Sequence, residues 1–211
     1  MLTVMLKTII INTEVITSIP YESNEQLTKH INAREIRCKC GKMHATLYNT
    51  ETLDKIEKLI SAVADYHNTT PENTHIIISS GYRCPDHDKA VGGSGNGVHT
   101  AGYALDFEMT AAGKGVDSRV IAAIAKDIGF TGIGRINDYY IHVDNAPLSS
   151  HGGRKWLGDE TKPGGTSGSV ITDSESYWTY YNIKSPAKLK TLDMQITLDG
   201  ITYAGTLTEK R

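Results

Sequence analysis

The sequence predicts an α+β domain: a small, mostly antiparallel sheet flanked by two helices, with a small C-terminal β and aromatic module after it. Three observations carry this. Two stretches place apolar residues at helical spacing, several short runs alternate apolar and polar residues, and a Gly/Ser/Pro-rich break follows Trp156. At 211 residues and 39% hydrophobic, the chain can bury one core and still have a small module to spare.

In "TLYNTETLDKIEKLISAVADYH", Leu53, Ile56, Leu59, Ile60 and Val63 share a face, with Asn49 or Thr50 as N-cap and Glu51 and Asp54 in the first turn. The spacing predicts a helix over 50–67. "THIIISS" is a short β-branched run that ends in "GYRCP", a buried strand delivering Tyr82 and Arg83 to a loop. A second helix is expected over 117–128, where Val120, Ile121, Ile124 and Ile128 align and Gly129 suits the left-handed stop.

Between the helices, the glycine-rich "AVGGSGNGVHTAG" must bring backbone close to something. "YALDFEM" then alternates Ala104, Asp106 and Glu108 against Leu105, Phe107 and Met109. "YYIHVDN" likewise sets Tyr140, His142 and Asp144 against Ile141 and Val143. Two strands thus each offer a candidate ligand from the face opposite their apolar residues. Gly102 and Ala104 are small enough to let the loop carrying His99 fold back over the first of them.

Composition shifts divide the chain into an N-terminal β extension (1–27), the main domain (28–158), a linker (159–170) within "GDETKPGGTSGS", and the C-terminal module (171–211). In that module "YWTYYNI" is aromatic-rich, and "MQITLDGITYAGTL" reads as a hairpin turning at Asp199-Gly200, pairing Leu198 with Ile201 and Ile196 with Tyr203. It can dock on the main domain, pair with another copy as a homodimer, or grip a ligand.

A net charge of −2 gives no basic field, so charge lends nucleic-acid binding no support. No stretch approaches the ~20 apolar residues of a membrane span. The N-terminus has only a short apolar run, Thr8 to Ile11, without a small-residue cleavage pattern, and reads as strand rather than signal peptide. Three cysteines, Cys38, Cys40 and Cys84, leave three arrangements open: reduced thiols, one bridge from Cys84 to Cys38 or Cys40, or a structural zinc with His44 or His87, although "CKC" lacks the usual two-residue gap.

Zinc in hydrolases takes three His or Asp/Glu ligands and keeps one position open for water, whose acidity it raises. His99, Asp106 and His142 supply such a set, with no helix-borne H-E-x-x-H in the chain. "SSGYRCPDHDKAVGG", "HTAGYALDF", "GFTGIGRINDYYIHVDN" and "RKW", in that order, resemble the peptidoglycan zinc metallopeptidases, the family of D-alanyl-D-alanine carboxypeptidases and phage L-alanyl-D-glutamate endopeptidases with a hedgehog-like zinc fold. The similarity runs from Thr28 to Trp156 and includes "EIRCKCGK", a segment of the kind seen in phage members.

That resemblance implies Zn2+ on His99, Asp106 and His142, with Arg83 holding a carboxylate or carbonyl of the substrate. Many relatives place an acid three residues before the last histidine, where this chain has Tyr139, and a serine two residues before the first, where it has Gly97. Asp144 is the first candidate for the general base and Asp138 the next, then Glu108; the other role open to Asp144 is to orient a ligand ring. Tyr82 and Tyr140 are candidates for positioning substrate. The implied function is hydrolysis of peptidoglycan stem peptides by an endolysin-like endopeptidase, made in a bacterial cytoplasm from a phage gene and released to the wall. The alternatives are a D-alanyl-D-alanine carboxypeptidase and a non-catalytic zinc-binding structural or wall-binding module.

Overall fold

A computed structural model describes residues 16–153, 155–161, 175–186, 191–198 and 201–208. The expected strand at Thr8 to Ile11, Arg154 of "RKW", most of the linker and the Asp199-Gly200 turn lie outside these residues.

β1 (Ile16–Ile19) pairs antiparallel with β2 (Thr46–Asn49), and the short α1 (Ala33–Ile36) lies between them in sequence. Asn32 caps α1 in a capping box with Glu35. β2 runs into α2 (Thr50–Tyr66), where the Asn49 side chain accepts from the Thr52 amide at 2.8 Å. The apolar stripe predicted for this helix, Leu53 through Val63, is fully buried.

The main sheet is built from β3 (Thr74–Ser80), β4 (Ala104–Ala111), β6 (Gly132–Arg135), β7 (Ile141–Asp144) and β8 (Trp156–Asp159), in the order β3-β4-β7-β6-β8, with β5 (Lys114–Gly115) on the end of β4. All its pairings are antiparallel except β6 with β8. The six-residue α3 (Pro85–Ala90) precedes the glycine-rich loop, and α4 (Ser118–Ile128) follows β5. Asp117 caps α4, and Gly129, at φ +94°, ends it in the left-handed conformation.

The sheet sorts its faces as the alternation requires. Leu105, Phe107 and Met109 of β4 and Ile141 and Val143 of β7 are buried in one core with α2 and α4. The opposite face carries Asp106, Glu108, His142 and Asp144, with Ile77, Ala104 and Trp156 beside them. α5 (Tyr177–Tyr180) packs on α4, and Tyr177, Trp178 and Tyr181 complete the same core. Trp178 stacks on Tyr66 at 5.6 Å, and its Nε1–H donates to Asp127 Oδ2 at 2.8 Å. β9 (Thr191–Leu198) and β10 (Ile201–Thr208) form an antiparallel pair in the register read from the sequence, Leu198 opposite Ile201 and Ile196 opposite Tyr203.

Candidate metal centre

β4 and β7 place Asp106 directly opposite His142, so two polar side chains meet on the face away from the core. His99 reaches them from a tight turn held by Ala101 N–H to Gly97 O at 3.0 Å and Tyr103 N–H to Val98 O at 2.9 Å. That turn presses against β2: Gly102 sits at φ +83°, its carbonyl accepts from Asn49 N–H, and a Cβ there would lie 2.9 Å from the Leu47 carbonyl carbon. Only glycine satisfies both constraints.

Three donor atoms converge as a result. His99 Nε2 lies 3.1 Å and His142 Nδ1 2.7 Å from Asp106 Oδ1, and the two nitrogens are 3.2 Å apart. Each ring is oriented from behind. His99 Nδ1 lies 2.8 Å from the Gly81 carbonyl, a contact that needs its N–H there and leaves a lone pair on Nε2. His142 is turned the other way, with Nε2 at 3.2 Å from Asp144 Oδ2 and Nδ1 on the donor triangle. Arg83 Nη2 bonds the outer oxygen of Asp106, which leaves Oδ1 for the triangle.

Three electron-rich atoms face one another here, an arrangement that a metal ion or a ring proton relieves. Without a metal, a proton supplies the charge. Burial alone would lower the His142 pKa, but its bonds to Asp106 and Asp144 hold it up at about 10. Burial would likewise raise the Asp106 carboxyl, yet the bonds from His142 and His99 keep it well below the usual carboxylate range. A zinc ion 2.0–2.1 Å from N and O donors has tetrahedral edges of about 3.3 Å. The observed triangle needs only slight expansion to take one, and the His₂Asp donor set fits zinc.

Asp144 sits behind the triangle, 1% exposed. Its Oδ2 faces His142; its Oδ1 accepts from Ala146 N–H at 2.9 Å and Thr131 Oγ1 at 3.3 Å, and lies 2.9 Å from His151 Nε2. Burial would raise this carboxyl too, but the bonds from His142 and His151 hold it well below its ordinary range. β6 makes the room: a Cβ on Gly132 would stand 1.8 Å from Asp144 Oδ2.

The triangle opens onto a cavity of about 460 Å³ that Asp144 also lines, walled by Arg83, Val98, Arg135, His151, Trp156 and Glu160. Trp156 meets the His142 ring edge-on at 5.7 Å. Arg83 is anchored by Nε to Ser80 Oγ at 2.7 Å and Nη1 to Asp88 Oδ1 at 3.4 Å. The glycine loop closes around that same Asp88: Gly95 N–H donates to Oδ2 at 2.8 Å, and a Cβ on Gly93 would lie 2.2 Å from it. This is what the glycines approach.

The other residues singled out from the sequence lie elsewhere. The Asp138 side chain is 84% exposed, beside Arg135 at 3.6 Å and off the cavity wall. Glu108 and Tyr140 do not line the cavity either, and Tyr82 lines an adjacent depression that shares Arg83 and Asp106 with it. Tyr139, at the position where relatives carry an acid, is 53% exposed and lies against Gly115. His151 and Arg135 are site residues the sequence reading did not single out. His151 stands at the end of a single 3₁₀ turn, outside any periodic pattern.

Residues 29–144, more than half of the chain, match the family Peptidase M15, and the match spans all three donors and Asp144. Comparisons with curated proteins and with solved structures find no match. With the donor triangle and the family match in agreement, the chain belongs to the Peptidase M15 family of zinc-dependent peptidases acting on peptidoglycan-type substrates.

Proposed function

We propose that the protein is a zinc endopeptidase that cuts a peptide bond in the bacterial peptidoglycan stem, encoded by a phage and acting on the wall after release from the cytoplasm. The observation that carries this reading is the convergence of His99 Nε2, Asp106 Oδ1 and His142 Nδ1 at the floor of a cavity of about 460 Å³, a volume suited to a short peptide. Zinc on these donors would supply Lewis acidity toward the scissile carbonyl and toward a water.

The chain's own groups supply the rest. His151 lines the cavity with its Nε2 bonded to Asp144, so it carries the proton from water to the leaving amine, while Asp144 orients both imidazoles. This gives Asp144 the orienting role of the two open to it, because it is bonded to the rings of both His142 and His151. Arg83 steadies Asp106 and presents its remaining N–H edge to a substrate carboxylate.

Mass spectrometry of peptidoglycan fragments after incubation, with and without chelator and with zinc restored, tests the reading. New fragments that vanish on chelation and return with zinc support it, and their masses name the bond. Release of free alanine alone assigns a carboxypeptidase instead. Unchanged fragments from zinc-loaded protein across several wall chemotypes assign a non-catalytic role.

A further inference from the structure

A second group of metal-ligating side chains lies outside the site just described. Cys38, Cys40 and a ring nitrogen of His87 lie within 4.8 Å of one another, and so do Cys40, Cys84 and a ring nitrogen of His44. Cys40 belongs to both sets, so the two groups meet at its sulfur, and Cys38 Sγ is tied to the second set by the Cys84 N–H at 3.4 Å. Cys84 Sγ is 3.9 Å from Cys40 Sγ, close to the roughly 3.8 Å tetrahedral edge of a zinc ion bonded at 2.3 Å to sulfur. It is far from the roughly 2.05 Å of a disulfide, and all three cysteines are free.

Two further observations point to a ligand. Each sulfur faces a backbone N–H: Cys38 from Cys84 at 3.4 Å, Cys40 from Lys42 at 3.4 Å, and Cys84 from His87 at 3.5 Å. Such bonds orient and stabilise ligating thiolates. In addition, His44 Nε2 is buried without any hydrogen-bond partner. Leaving a polar atom in that state is costly, and a metal or a bridging group removes the cost. A Cys40–Cys84 disulfide would account for neither Cys38 nor His44.

We propose that Cys38, Cys40 and Cys84, with His44 as the fourth ligand, bind a structural zinc-class divalent cation. A closed set of three thiolates and one imidazole leaves no open position, so this site holds structure together. What it holds is the 37–45 segment against the 81–84 loop. That segment bridges α1 and β2, tied by Lys39 Nζ to the Ile78 and Ser79 carbonyls at 3.2 and 2.6 Å, by Lys42 to Asp86 at 3.7 Å and by Arg37 over the Tyr21 ring. The 81–84 loop supplies the Gly81 carbonyl that orients His99, and Arg83 on the cavity wall. The structural ion thereby steadies the first centre from behind, without contributing to its chemistry.

The test uses the metal alone as probe and does not depend on peptidase activity. The full chain, purified reduced and loaded with zinc, is expected to hold two equivalents by elemental analysis, and the His99→Ala/His142→Ala variant one. Cobalt(II) in that variant is expected to give a thiolate-to-metal charge-transfer band, which Cys40→Ser, a substitution at the partly exposed thiol, abolishes in a chain still folded by circular dichroism. No zinc in the His99→Ala/His142→Ala variant, or cobalt bound there without the band, overturns the proposal, as does a count of one free thiol in protein purified without reductant. His44→Ala is expected to weaken cobalt binding at least tenfold; loss with His87→Ala and none with His44→Ala overturns the choice of the fourth ligand.

Discussion

At the scale of single residues, the site depends on what stands behind the donors. Asp144 and His151 both line the cavity, and experiment separates the orienting role proposed for the first from the proton transfer proposed for the second. Asp144→Asn is expected to weaken zinc binding by about 10- to 100-fold, the usual cost of losing a group that orients a ligating histidine. His151→Ala is expected to leave zinc affinity within a few-fold and lower kcat by about 10²–10⁴, the range for losing general acid–base catalysis. Zinc titration against a fluorescent chelator, with kcat on a stem-peptide substrate, checks both; a His151→Ala enzyme of full activity removes that residue from the mechanism. Gly132→Ala is the matching steric test. A methyl 1.8 Å from Asp144 Oδ2 must displace the carboxylate, so zinc affinity is expected to fall as in Asp144→Asn although no polar group is removed. A Gly132→Ala protein with wild-type zinc affinity would mean that the carboxylate has free space.

The elements show why part of this design was legible in sequence and part was not. β4 and β7 each bury one face, so period-two alternation marks Asp106 and His142 at once, and α2 and α4 follow from their apolar stripes and caps. Alternation gives a face but not a depth: it placed Asp144 beside His142 without showing that the carboxylate is buried and also bonded to His151. The glycines of the 92–97 loop announce a close approach, but their target, Asp88, emerges only from the folded loop. Asp159 reads as the start of a linker, yet it closes β8, where it pairs with the buried Arg135 at 3.0 Å. A polar residue whose partner is 24 positions away leaves no local signal. The same scale holds a pH prediction at α2. Glu57 fastens residues 28–30 to the helix by bonds from Thr28 Oγ1 at 2.5 Å and the His30 amide at 3.0 Å, with the His30 ring at 2.6 Å. Burial would raise its carboxyl, but the Thr28 and His30 bonds outweigh that and lower it. A lowered folded pKa contributes stability above the unfolded glutamate value of about 4.3, lost as pH falls through the folded one. Glu57→Gln is therefore expected to cost about 1–2 kcal/mol at pH 7 and progressively less as the medium is acidified. Thermal melts of both proteins from pH 7 down to pH 2 check this; a gap that stays constant over that whole range contradicts the linkage.

Across the whole molecule, the core extends past the residues that carry the family match. The match ends at Asp144, but β8 pairs with β6, and Tyr177, Trp178 and Tyr181 finish the hydrophobic cluster that α2 and α4 begin. Trp178 is the central piece, 6% exposed, stacked on Tyr66 of α2 and bonded to Asp127 of α4. It joins two helices that also support the sheet under the donor triangle, so its contribution should be global rather than local. Trp178→Ala is expected to cost about 3–5 kcal/mol, the range for deleting a large buried aromatic. Because the same core backs β4 and β7, loss of bound zinc and loss of helical signal should remain one coincident urea transition, moved to lower urea with an unchanged slope. If the variant instead unfolded in two steps, with zinc retained after the first, the 175–186 segment would be a separable unit resting on a peptidase domain that folds without it.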